Sequence, residues 1–216
     1  MSLEKNLNSI QKNIKNALSK SANPDQAVDI VAVTKTISVE RIREAVALGL
    51  RHLGENKAQE LKTKFDDVND MVHWHMIGHL QRNKVKYIVD KVDLIHSIDS
   101  FSLLEEIDRR AAMEKRTIDC LIQVNVSGEQ TKFGVHPSEA SELLKQLDNL
   151  QWIRVRGLMT MAPFFDNPEK SRDCFKNLHM LFQNLKEKAY PQTEMKILSM
   201  GMSNDYLIAV EEGATM

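Results

Sequence analysis

The chain has 216 residues, 42% of them hydrophobic and 27% charged, and its 29 lysines and arginines nearly balance its 30 acidic residues. A formal net charge of −1 supplies no field for nucleic acid or an anionic membrane. The first twenty residues carry lysines and hold no uninterrupted apolar run of the signal-peptide or membrane-span kind, so a cytoplasmic protein is expected.

The length suits one sizeable domain, and no Pro/Gly/Ser-rich linker interrupts residues 1–216, which are read as a single domain. Leu3, Leu7, Ile10, Ile14 and Leu18 recur every three or four residues and predict an N-terminal helix with one apolar face. After Asn23-Pro24 the β-branched run DIVAVTK predicts a strand. SVERIREAVALG then predicts a helix that Ser38 caps and Gly49 ends.

The same strand-then-helix unit recurs along the chain. RHLGEN precedes KAQELKTKFDDV, HWHMIGHL precedes RNKVKYIVDK, and DLIHSID precedes SLLEEIDRRAAMEKR, where Ser102 and Glu105 have capping-box spacing. TIDCLIQVNV then leads into PSEASELLKQLDNL. IRVRGLMTMA leads into the longest predicted helix, bracketed by Pro168 and Pro191, and EMKILSMG leads into NDYLIAVEEG. Seven βα units with near-continuous apolar strands imply a parallel sheet buried on both faces, and a (β/α) barrel is its natural closure. The rival, a doubly wound open sheet, lacks its glycine-rich first turn here, where the sequence reads TKTIS. Cys120 falls in a strand-like run and Cys174 in a helical pattern, which reads as two buried thiols without a disulfide.

Barrel chemistry sits at the C-terminal ends of the strands. Lys35 shares a strand face with Val31 and Val33, so if those valines fill the barrel interior the lysine points toward its mouth. Position alone leaves two readings: a snorkelling side chain, or a partly desolvated amine able to condense with an aldehyde. At the seventh strand end, ILSMGMSND offers Ser199, Ser203 and a glycine, Gly201, that permits close backbone approach. It reads either as an anion cup or as an ordinary serine cap with a turn glycine. His73, His75 and His79 share one parity and raise a metal-cluster reading, but no third partner set accompanies them, and hydrogen-bonded core histidines are the default. No metal site is assigned, no GxSxG elbow occurs, and no catalytic residue is assigned.

The ordered segments VAVTKTIS, LGENKAQE, WHMIGHLQRNK, HSIDS, KFGV, GLMTMAP and LSMGMSND resemble the pyridoxal phosphate homeostasis protein family, the YggS/PROSC family, across nearly the whole chain. More distantly they resemble the barrel domain of alanine racemase. The resemblance implies a (β/α)8 TIM barrel of fold-type III PLP proteins with an extra N-terminal helix. It implies pyridoxal 5′-phosphate (PLP) as cofactor, held as a Schiff base by Lys35, with Asn56 lining the pocket and Ser199, Gly201, Met202 and Ser203 forming part of a phosphate cup. The function implied is PLP carriage or buffering in vitamin B6 homeostasis, with PLP-dependent apoenzymes as recipients and without catalytic turnover. The alternative is a PLP-dependent racemase-like enzyme, and a remote third reading is a metal-dependent barrel hydrolase. Family members often carry a lysine where Lys132 stands, which makes it a candidate auxiliary amine. The family also continues beyond the GATM segment with a VRIG-type strand, so the eighth strand is expected to be cut short at Met216.

Overall fold

The computed structural model describes residues 2–68, 72–129 and 131–216. Helix α1 spans Leu3–Leu18, and Ser2 caps it by accepting from the Lys5 amide. Then come β1 (Val31–Val33), α2 (Val39–Ala47), β2 (His52–Glu55), α3 (Ala58–Phe65), β3 (His73–Met76) and β4 (Leu94–Ile98). The chain continues through α4 (Phe101–Glu114), β5 (Ile118–Gln123), α5 (Ala140–Lys145), β6 (Ile153–Met159), α6 (Arg172–Lys186), β7 (Thr193–Ser199) and α7 (Tyr206–Glu211). The seven strands form one parallel sheet in sequential order, β1 to β7.

The register separates two faces. Leu53, Trp74, Ile95, Cys120, Val155 and Leu198 point toward the helices and join Ile42, Leu61, Ile107 and Phe175 in the main core. The alternate residues Leu94, Leu121 and Met159 meet Ile197 and Met216 in a second cluster on the concave face. Toward the N-terminal ends of β5–β7 that interior turns ionic, with Arg154 on Asp119 at 2.8 Å and Arg156 on Glu194 at 2.9 Å. A sheet with both faces buried is what the continuous apolar runs demanded.

The sheet curls toward a barrel, and β1 and β7 do not pair directly. Residues 215–216 lie between them. The Thr215 and Met216 amides donate to Leu198 O, Met200 N donates to Met216 O, and on the other side Asp29 N donates to Thr215 O at 2.9 Å. Thr215 and Met216 thus occupy the start of the expected eighth strand's place.

Three local expectations change. The helix predicted after β3 is a six-residue 3-10 helix, Arg82–Tyr87. The capping box of Ser102 and Glu105 does not form: the helix begins two residues earlier, at Phe101, so Ser102 already lies inside α4 behind the N-cap Ser100. Helix α6, preceded by a 3-10 turn at Pro168–Ser171, has 15 residues against 16 in α1, so it is not the longest. Ser38 and Gly49 behave as expected, the former accepting from Arg41 N and the latter at φ +96 just past α2. Among the described residues no helix is long and apolar enough to cross a membrane.

Candidate functional site

Strand β1 ends at Val33, and Thr34 donates to Glu55 Oε1 on β2 at 2.6 Å, which turns its side chain toward α3 and the helix layer. Lys35 therefore projects to the opposite side, toward the concave face, and is exposed, as the snorkelling reading has it. Val33 is likewise 47% exposed and borders the mouth instead of filling the interior. The next residue, Thr36, is β-branched yet sits at φ 62, a left-handed conformation that its surroundings must enforce.

Those surroundings are a buried charge cluster. Lys64 of α3 donates to Thr34 O at 2.6 Å, Glu55 Oε1 at 2.8 Å and Glu60 Oε1 at 2.7 Å, while Glu60 Oε1 also accepts from Thr36 N. Burial acts to lower the pKa of Lys64, but its hydrogen bonds to the two carboxylates outweigh that and hold it above the usual lysine value. The turn that presents Lys35 is thus fixed from below at Thr34 and Thr36.

Asn56 follows β2 directly, half-buried, with its backbone packed so closely on Gly78 that a Cβ there would lie 2.4 Å from Asn56 O. At the end of β7, Ser199 is half-buried and Gly201 takes φ +91; a Cβ on Gly201 would meet Ala209 Cβ at 2.6 Å and Tyr206 Cα at 2.9 Å. Only glycine fits this turn. Asp205, not a serine, precedes α7, and its Oδ1 accepts from Met202 N at 2.6 Å. The Met202 amide is therefore already engaged, whereas among the described residues the amides of Gly201, Ser203 and Asn204 find no acceptor. The six residues named from the sequence fall at three strand ends on one rim: Lys35 after β1, Asn56 after β2, and Ser199 to Ser203 at the end of β7.

The sequence reading missed what lies under that rim. His52 Nδ1 is 2.9 Å from His75 Nε2, His75 Nδ1 is 2.8 Å from His96 Nε2, and His96 Nδ1 is 3.0 Å from Ser199 Oγ. Burial, reinforced by the neighbouring histidines, pushes His75 down to about 2 and His96 to about 3, so both are neutral across the physiological range. His73 is instead exposed beside Asp93, and His79 pairs with Asp99 at 3.1 Å and stacks on Phe133. The shared parity of His73, His75 and His79 does not gather them, because the partners of His75 come from β2 and β4. The signal was available as an interior-facing histidine in each of three consecutive strand segments, with two in the middle one.

Comparison with known proteins covers the whole chain. Residues 6–216 match the family model described as alanine racemase, N-terminal domain. A pyridoxal phosphate homeostasis protein of Aquifex aeolicus is 40% identical over 97% of this chain and 92% of its own length. PipY of Synechococcus elongatus superposes without PLP at TM-score 0.88 and 34% identity, covering 99% of this chain and 95% of that one. Its structure with PLP bound gives 0.79 and 36%, over 94% and 95%. Alanine racemase of Clostridium difficile shares the fold alone, at TM-score 0.70 and 15% identity, over 95% of this chain and 52% of that one. With the barrel, the strand-end residues and this similarity along nearly its full length, the chain belongs to the pyridoxal phosphate homeostasis protein family.

Proposed function

We propose that this chain binds PLP, takes its aldehyde on Lys35 and holds it reversibly as a carrier in vitamin B6 homeostasis, on a single domain and without turnover of its own. The observation that carries the reading is the pairing of an exposed amine just past β1 with a glycine turn of uncommitted amides just past β7, the two strands that flank residues 215–216.

The residues fit the group. A phosphate dianion needs donors, and the amides of Gly201, Ser203 and Asn204 with the exposed Ser203 hydroxyl supply them. Asn56 stands at the neighbouring strand end and would line the pocket. PLP brings a reactive aldehyde, which a primary amine captures with loss of water, and a reversible hold keeps it from stray amines until a PLP-dependent apoenzyme receives it. The PLP-bound relative, PipY, lends support at 36% identity over 94% of this chain. A racemase role needs a second acid or base facing the lysine. The tyrosines do not serve: Tyr87 ends a 3-10 helix, Tyr190 bonds Ser141, and Tyr206 bonds Asn13.

Borohydride reduction followed by peptide mapping tests cofactor and site together. The reduced adduct is expected on the peptide carrying Lys35, and Lys35→Ala is expected to lose the visible absorption. An adduct on another lysine, with undiminished binding by Lys35→Ala, would overturn the assignment.

A further inference from the structure

The three-histidine chain joins two ends of the barrel interior. It starts at His52, the first residue of β2, whose Nε2 lies 3.8 Å from Asp29 Oδ1 ahead of β1. It ends at Ser199, the last residue of β7, in the turn assigned above to the phosphate. His75 and His96 are 2% and 1% exposed, so solvent does not supply substitute partners along the way.

Geometry restricts such a chain to two proton arrangements. His75 and His96 each spend both ring nitrogens on the chain, and a neutral imidazole donates from one and accepts at the other. The tautomer of one ring therefore dictates the next. In the first arrangement every proton points away from Ser199: its hydroxyl donates to His96 Nδ1, its lone pairs face the mouth, and His52 Nε2–H faces the Asp29 carboxylate. In the second every proton points toward Ser199, which accepts from His96 and turns its own O–H toward the mouth. That second arrangement suits an anion at the β7 turn, but leaves His52 Nε2 bare beside Asp29 unless His52 carries a proton on both nitrogens.

We infer that His52, His75 and His96 form a proton relay that couples anion binding at the β7 turn to protonation of His52 against Asp29. The proton balance is simple. One proton enters at Ser199 Oγ from water or from the anion's own P–OH. Ser199 passes its proton to His96 Nδ1, His96 passes the one on Nε2 to His75 Nδ1, and His75 passes the one on Nε2 to His52 Nδ1. His52 ends as an imidazolium, and Ser199 keeps a hydroxyl whose proton points at the anion. No bond to carbon or phosphorus changes.

The groups facing His52 support this division of labour. Asp29 and, across His73, Asp93 attract a positive charge there, while His73, stacked at 5.1 Å, opposes it; His75, at its other side, is neutral. Burial chiefly, only partly offset by Asp29, holds His52 below its ordinary value, so it rests neutral and has a proton to gain. His75 faces His52, His73 and His96, and His96 faces His75, His52 and Ser199, with no carboxylate among the groups that shift either ring. These two relay by changing tautomer and hold no charge.

The inference rests on the PLP reading for the identity of the anion, and the test separates the two. Protein labelled with 15N-histidine is titrated at pH 7.5 with PLP, and in parallel with pyridoxal, which has the aldehyde but no phosphate. With PLP, the protonated nitrogen of His75 and His96 is expected to change from Nε2 to Nδ1 and His52 to become doubly protonated; pyridoxal should leave all three unchanged. Calorimetry in buffers of different ionisation enthalpy should then show wild type taking up about one proton more per PLP than His52→Gln. Asp29→Asn, a change at an exposed side chain, should show the second arrangement before PLP is added. PLP fixed on Lys35 with unchanged tautomers and equal proton uptake in wild type and His52→Gln would overturn the relay alone. Failure of wild type to load PLP at all would overturn the PLP reading and the relay with it.

Discussion

Replacing Lys64 with methionine separates the charge cluster beneath Lys35 into its parts. Glu55 is fully buried, its Oε2 has no partner among the described residues, and its Oε1 is held by Lys64 Nζ and the Thr34 hydroxyl. Lys64→Met keeps the side chain's length and apolar stem but leaves that carboxylate with one neutral donor. Removing one partner of a buried ion pair costs about 3–5 kcal/mol, because the remaining charge stays desolvated. Against a total stability of about 5–15 kcal/mol this is a large fraction, and for a chain of this size it corresponds to a fall in Tm of about 6–20 °C. The double variant Lys64→Met/Glu55→Gln removes the stranded charge and should recover most of that loss, which a stability cycle of wild type, both single variants and the double would measure by urea unfolding at pH 7. A loss below about 1 kcal/mol in Lys64→Met, or a double variant no more stable than the single, would refute the account of the cluster. The strained Thr36 supplies a second readout: freed from Glu60's anchoring by Lys64, the turn should relax, and hydrogen exchange at the Thr36 amide should quicken.

Acid should weaken the fold before carboxylates titrate. Unfolded histidines take up protons below about pH 6.5, while native His75 and His96 stay neutral down to about 3, so the unfolded state gains as pH falls and stability drops by about 2.5 kcal/mol between pH 7 and 5.5; a urea midpoint flat across that range would contradict the buried pair. Gly157→Ala should cost about 3 kcal/mol, the upper end of overpacking costs, since the added Cβ would lie 1.8 Å from Ile197 O on β7, and thermal melting reads it directly. Lys132, half-buried in the loop after β5, should be dispensable for capture: Lys132→Ala is expected to keep the borohydride-fixed adduct that Lys35→Ala loses, and an adduct lost in both would make Lys132 part of the site. A panel of amino acids incubated with PLP-loaded protein should show no Lys35-dependent racemisation, and robust turnover would overturn the carrier role.

The sequence carried the seven strands and the strand-end residues well, because both follow from short-range pattern. Apolar runs give way to polar residues at Lys35, Asn56 and Ser199, and the barrel places those transitions on one rim. What it hid depends on register. His52, His75 and His96 come from three strands, and nothing within any one segment says which histidine faces which. The Glu55–Lys64 pair spans nine residues from a strand into a helix, a distance no local periodicity reports. The exposure of Lys35 was left open for a related reason: the alternation that placed it on the interior face says nothing of where β1 stops. The engagement of Met202 N by Asp205 likewise turns on a single side-chain rotation within a tight turn.

The way α1 is covered has a consequence for biosynthesis. Its apolar face packs on Val28 and Ile30 but also on Val210, and Asn13 donates to the Tyr206 hydroxyl 193 residues away. At about 5–20 residues per second on the ribosome, that partner arrives roughly 10–40 s after α1 is made. Until then an amphipathic helix stands with part of its greasy side open, beside a row of strands whose last neighbour has not yet been synthesised. The nascent chain therefore keeps an adhesive face through most of translation, and the late docking of α7 onto α1 is what closes it.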